Sequence, residues 1–471
     1  MKRGNTTRGR ARSERAKLAP PSARPLLRAL DQGDPVEIPA GAVGQAGDRW
    51  IGPFLDANGP MLRRLDLRPE VRGERGVRLL LHPGSRIGAI PLLSPATRKV
   101  TAGLLVSPRF RWAALGAVFQ RTGFAVEPVL GGALAVPGSA REVPPWILAA
   151  PVLRRLATLL EHERRGFVER REERASPRGR IDWSVWATQH VPSGRWDRFP
   201  CVFPDPQFDP SVRAQVRWTL RRLRIELGTV SDSLVGRALL DRAAELEARV
   251  GEGEAQRPRV GAPGLEGAFL AEAMEAMGWV AEERGLGGAR ALDGLAWDLA
   301  VDQLWEAWVS AFVADLAPRL GMTSRGTGQT RHSFNWQGPV RSMGSLAPDA
   351  VLHGLGKTIW VDAKYKAHLA LLVRKGWQGF EGAARDAHRA DLHQALAYAS
   401  LARTDIVDTI LVYPDLSPTG ARPSMAIATL PAGPRRVRLL LAALPFGFGS
   451  PSLRERALED WRGALSDGEQ G

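Results

Sequence analysis

The period of apolar and polar positions changes several times along the chain. Over residues 26–145 short β-like runs at Val36–Ile38, 50–54, 77–81, 87–93 and 133–136 are broken by Gly and Pro. One helical stretch lies among them at 111–121, so this part predicts a compact β-rich domain. From about residue 144 the texture turns helical and ends in a charged stretch, 161–174. A basic glycine turn entering an apolar strand comes next at 177–183. Then come a Pro-rich extended approach at 203–210, a long helix at 211–227 and a second helix at Leu234–Val250. The polar run 251–264 or the glycine-rich run 285–294 predicts a domain boundary. The last part opens on an expected helix at 295–316, where Trp297, Ala300, Leu304, Trp308 and Ala311 hold helical spacing. Asp298, Asp302 and Glu306 form an acidic stripe beside them; a solvated face accounts for most of it, with Glu306 able to reach a neighbouring sheet. A hairpin, a helix at 386–401 and strands at 406–413 and 425–430 complete an expected α/β sandwich with a mixed sheet.

The hairpin carries the chemistry. Its expected strands are 347–353 and 358–365, joined through Gly354-Leu355-Gly356-Lys357, with two glycines to supply positive φ. Alternation puts Trp360, Asp362 and Lys364 on one face and Ile359, Val361 and Ala363 on the other, with Asp349 early in the partner strand. Two carboxylates and the carbonyl after the second make an oxygen-rich site for Mg²⁺, with Mn²⁺ as a substitute. Such an ion activates water against a phosphodiester, and a lysine offsets developing charge. Charges inside an apolar strand are costly unless paired, which weighs against incidental placement. Gly356-Lys357-Thr358 imitates the end of a phosphate-binding loop, but Val351 stands where that loop needs glycine and a strand comes after it instead of a helix.

Composition narrows the partners. The 65 basic residues against 50 acidic give a formal charge of +15, which favours polyanions, nucleic acid first. Residues 1–25 are basic and unable to fold alone, either a nucleic-acid arm or a solvated tail. Arg213, Arg217, Arg221, Arg222 and Arg224 make the helix at 211–227 a candidate DNA-lining surface or a solvated face. The single cysteine, Cys201, excludes a disulfide framework, and a cytoplasmic location is expected. The eight histidines give no zinc-ligand spacing; His388 and His393, with His368 before them, lie near the acidic motif but fit no common ligand pair. No apolar run has membrane-spanning length.

Pro348-Asp349 followed by Asp362-Ala363-Lys364 resembles the PD-(D/E)XK nuclease motif. With Leu304-Trp305-Glu306, Leu346-Ala347-Pro348-Asp349, Val361 to Lys366, Asp391-Leu392-His393-Gln394 and Ala397-Tyr398-Ala399, the chain looks like the McrC family, the nuclease component of McrBC-type systems acting on modified DNA. The turn Arg178-Gly179-Arg180-Ile181-Asp182 is similar to one in that family; the resemblance is strongest over residues 295–415. It implies an α+β multidomain chain: a basic arm (1–25), a β-rich docking domain (26–145), a helical middle (146–284) and a C-terminal α/β PD-(D/E)XK domain with a mixed sheet (285–471). It further implies that Asp349, Asp362 and the Ala363 carbonyl bind the metal, with Glu306 an outer acid. Lys364 would be the catalytic lysine, and Gln394 and Tyr398 would support the site or the scissile phosphate. Lys366 shares the face of Lys364 and is set aside only by motif position. The expected partners are DNA and a separate AAA+ GTPase or ATPase motor. The competing readings are a catalytically idle DNA-binding adaptor and an RNA-directed nuclease.

Overall fold

The computed structural model describes residues 24–466 apart from 44–47, 74–76, 164–165, 208, 259–267, 284, 287–292, 327–328, 338–341, 380–381, 416–424 and 433–434. Nearly all of the basic arm and parts of both candidate linkers fall outside the described residues.

The first half is built on a five-stranded sheet in the order Leu26–Leu30, Val100–Ser107, Arg86–Leu93, Gly294–Ala300, Val129–Val136, with one parallel pair at its Leu26–Leu30 edge. A small antiparallel sheet of Val36–Ile38, Arg78–Pro83 and Leu67–Arg72 adjoins it. Residues 50–54, expected as strand, instead end a 3₁₀ turn and open the helix Ile51–Arg64. The run reads as a strand only because its apolar residues are close-spaced, whereas Phe54, Asn58 and Leu62 bury one helical face.

The expected helix at 295–316 is two elements. Gly294–Ala300 is a strand with all seven residues buried, and only Val301–Leu316 is helical. A strand covered on both faces shows no alternation, so Trp297 and Ala300 fall by chance into the spacing of the helix that the strand enters. The expected boundary at 284/285 therefore does not separate the layers, because the strand after it sits inside the first sheet. Asp298 leaves the acidic stripe for the same reason. It is buried and paired with Arg64 and, at 2.7 Å, with Arg86.

In the middle region Pro145–His162, Pro210–Gly228, Leu234–Val250 and Ala268–Ala281 pack together. The charged stretch expected to end a helix is the strand Gly166–Arg174, paired antiparallel with Phe199–Gln207. The strand expected after the glycine turn is only Arg180–Ile181 before a helical turn begins at Trp183. The arginine-rich helix is not a free cationic face. Arg213 pairs with Glu163, Arg221 and Arg224 with Glu247, and Arg222 with Glu283. Arg217 is buried and donates to the Gly251 carbonyl at 2.8 Å. These arginines tie the bundle together.

The C-terminal sheet has six strands, mixed in direction, in the order Thr323–Gly326, Ala350–Gly354, Lys357–Ala363, Ile406–Asp415, Arg435–Pro445, Met425–Ala432. Val301–Leu316 and Pro451–Ser466 cover one face, where Ile359, Val361 and Ala363 join the large core. Gly382–Leu401 covers the other, where Tyr398 and Ala399 meet Trp360 and Val351. Trp305 is fully buried and donates from Nε1 to the Val412 carbonyl at 3.3 Å, pinning the first helix to the sheet. Burying such a ring stabilises by roughly 2–3 kcal/mol. Phe446 stacks on Phe110 of the first half at 4.7 Å, so the two halves share one core. Among the described residues no helix is long and apolar enough to cross a membrane.

Candidate active site

The hairpin turn has two residues, Leu355 at φ 52° and Gly356 at φ 70°. That is the doubly left-handed turn favoured between twisted strands. Gly354, expected in the turn, is instead the last strand residue, where a Cβ would come within 3.2 Å of the Gly321 carbonyl oxygen and of Met322. The register pairs Ala350 with Val361. One step further it brings Asp349 to Asp362, at the strand end nearest the first half of the chain.

Both carboxylates are buried, Asp349 at 7% and Asp362 at 5% exposure. Asp349 Oδ2 accepts the Ala363 N–H at 2.7 Å. Burial, then the neighbouring Asp362 charge, push the Asp349 carboxyl up to about 8. Lys364 Nζ lies 2.8 Å from Asp362 Oδ2 and donates to Gln394 Oε1 at 2.8 Å. Gln394 Nε2 in turn donates to Tyr398 OH at 2.5 Å. Burial and the Asp362 charge raise the Tyr398 hydroxyl, keeping it protonated. Glu306 approaches from Val301–Leu316. Its carboxyl is raised by burial first, then by the charges of Asp302 and Asp362. Asp349, Asp362, Lys364, Gln394, Tyr398 and Glu306 thus fall at one place.

The two lysines on this face separate cleanly. Lys364 sits on the carboxylate pair, while Lys366 Nζ contacts both oxygens of Asp391, at 2.7 and 3.0 Å. Helix Gly382–Leu401 buries His388, Asp391, Ala395, Tyr398 and Ala399, and leaves Leu396 exposed. The face that carries Asp391 and Tyr398 is the one that meets the sheet.

The sequence gives no sign of a tie between the site and the first half of the chain. Tyr365 OH donates to Asp31, which is fully buried, and Gln32 Nε2 donates to the Tyr365 carbonyl at 2.5 Å. The Asp31 carboxylate accepts the Arg109 N–H at 2.6 Å, and the Arg109 guanidinium lies 4.6 Å over the Tyr365 ring. No local pattern links residues 31 and 365. Tyr365→Phe is expected to destabilise by about 1–3 kcal/mol, because Asp31 loses a buried donor. Urea unfolding reads this, and an unchanged midpoint would show the tie to be idle. Beside the site opens a cleft of about 640 Å³, to which Lys364, Lys366 and His368 contribute from the segment after strand Lys357–Ala363 and Gln32, Arg68 and His82 from the first half.

No protein-family model matches the chain, and no curated protein matches it. Two solved assemblies are similar in structure. A chain of the half-complex from the tetradecameric assembly of Thermococcus gammatolerans McrB AAA+ hexamers with bound McrC aligns at 14% identity and TM-score 0.42, over 94% of this chain and 99% of that one. A chain of the Thermococcus gammatolerans McrBC complex aligns at 13% identity and TM-score 0.25, over 62% of this chain and 88% of that one. At these values neither likeness carries weight for function, which is read from the site.

Proposed function

We propose that the protein is a Mg²⁺-dependent DNA endonuclease subunit of a McrBC-like restriction system, activated by a partner AAA+ NTPase. The observation that carries the nuclease reading is the buried Asp349–Asp362 pair with Lys364 against it, held from the facing helix by Gln394 and Tyr398. The motor partner rests on the motif resemblance alone.

The donor set fits a hard divalent cation. Two buried carboxylates face each other closely enough that one is driven toward its neutral form, and a cation between them relieves that repulsion. Asp349 and Asp362 would hold the ion, with the Ala363 carbonyl, and Glu306 would stand behind them. When bound, Mg²⁺ polarises the phosphodiester and lowers the pKa of its water. Lys364, kept in place by Gln394, orients the attacking water and offsets charge developing on the phosphate oxygens. Tyr398 orients Gln394. Lys366 and Arg68 border the cleft as cations for the flanking backbone.

DNA cleavage in Mg²⁺, with and without the AAA+ protein that co-purifies, tests this. Cutting only with the partner is the expected result. Cutting alone would remove the motor dependence, and cutting of RNA in preference to DNA would move the substrate. Bound but uncut DNA under every condition would leave the adaptor.

A further inference from the structure

We propose that His368, His388 and Asp391 form a second divalent-metal site, of the imidazole–carboxylate class that takes Zn²⁺, distinct from the Asp349–Asp362 pair. One donor atom from each residue lies within 4.8 Å of the others, and all three residues are buried. His368 opens the helix His368–Lys375, while His388 and Asp391 are three residues apart on Gly382–Leu401 and so share one face. The distance of 20 residues between the two histidines hides the cluster from any sequence spacing rule.

The surroundings suit a ligand set. Two imidazoles and one carboxylate match the preference of Zn²⁺ and its transition-metal neighbours, whereas Mg²⁺ takes oxygen donors. His388 Nδ1 is 3.1 Å from Tyr413 OH, a contact that fixes the ring as outer partners of metal-bound histidines do. His368 Nδ1 already lies 3.5 Å from Asp391 Oδ2. Both histidines are reachable. His368 borders the cleft beside Lys364, and His388 borders an apolar pocket of about 300 Å³ with Trp377 and Leu392.

One group stands in the way. Lys366 Nζ occupies the cation position at Asp391, 2.7 Å from Oδ1, and Lys364 Nζ is 3.9 Å from the same oxygen. The Lys366 side chain is 37% exposed and borders the cleft, so it can swing out on its four-carbon stem. Zn²⁺ and the Lys366 ammonium therefore compete for Asp391. Occupation of the site frees Lys366 into the cleft, which, on the nuclease reading above, adds a phosphate-binding cation beside Lys364.

The test uses the untagged full chain carrying Asp349→Ala and Asp362→Ala, so that the carboxylate pair contributes nothing. Co²⁺ is titrated by its ligand-field absorption and then displaced with Zn²⁺. One equivalent is expected, weakened by more than about tenfold in His368→Ala and in His388→Gln, and tightened by about tenfold in Lys366→Ala. Circular dichroism confirms that each variant is folded, and His368→Ala decides if His388→Gln is not. Absence of a bound equivalent, binding indifferent to both histidines, or no tightening on loss of Lys366 would each overturn the site. Because no cleavage is measured, failure of the nuclease reading leaves this result untouched.

Discussion

Asp362→Asn is expected to lower Mg²⁺-dependent DNA cleavage by about a hundred- to a thousandfold or more, with DNA binding and folding retained. Asp362 sits between both partners that matter, facing Asp349 and contacting Lys364 at 2.8 Å. On the proposed reading, neutralising it removes a charge that would hold the metal and leaves Lys364 with Asp391, 3.9 Å away, as its ion-pair partner. The structure distinguishes lost chemistry from lost fold, because the same substitution relieves the repulsion that raises Asp349. Thermal stability should therefore hold or rise while activity collapses. Lys364→Ala should cost a similar factor, and the double variant little more, since groups that act as a unit are not additive. Plasmid nicking in the presence of the activating partner is the measurement. Activity within tenfold of the parent in both single variants would place the chemistry elsewhere.

The second large effect is a pH dependence whose sign depends on the metal. An Asp in the unfolded chain titrates near about 3.9, while Asp349 in the fold is pushed up to about 8. Between those values the folded protein holds a proton that the unfolded chain has lost, so metal-free stability falls as pH rises and levels off above about 8. Asp349→Asn lacks this loss. It should unfold at higher urea than the parent in chelator, with a gap that widens from about pH 5 to about pH 8. With saturating Mg²⁺ the order reverses, because the ionised carboxylate is the form that holds the ion, and cleavage by the parent climbs over the same interval. A gap that does not change with pH in chelator would mean that Asp349 is not strained.

The grouping of the candidate site's residues was legible in the sequence because its parts are local. Asp349, Asp362 and Lys364 lie on one hairpin whose alternation fixes their faces, and Gln394 and Tyr398 are one helical turn apart. The glycines and the apolar runs marked most of the last sheet for the same reason. The features that escaped are those decided by distant packing. Gly294–Ala300 carries no alternation because both of its faces are covered. Gly166–Arg174 carries charges at successive positions, hence on both faces, and so resembles a solvated helix. The arginines of Pro210–Gly228 look like a nucleic-acid surface until the carboxylates that meet them, Glu163, Glu247 and Glu283, come in from other elements. Asp31 and Tyr365 have no local pattern to betray their contact.

The strand Gly294–Ala300 also sets an order of events during synthesis. It fills the gap between Arg86–Leu93 and Val129–Val136, pairing antiparallel with both. Those two edges leave the ribosome more than 150 residues before the strand that joins them. At roughly 5–20 residues per second, the nascent first sheet waits on the order of ten seconds with its edge strand Val129–Val136 unpaired. In that interval Ile87, Ala89 and Ile90 are half covered and their backbone edge is open to wrong partners. The closing strand runs straight into Val301–Leu316, the helix that brings Glu306 to the Asp349–Asp362 end of the last sheet. Closure of the first sheet and placement of the first acidic residue of the site are thus one step, and a nascent chain cannot complete the site while its N-terminal half is still unfinished.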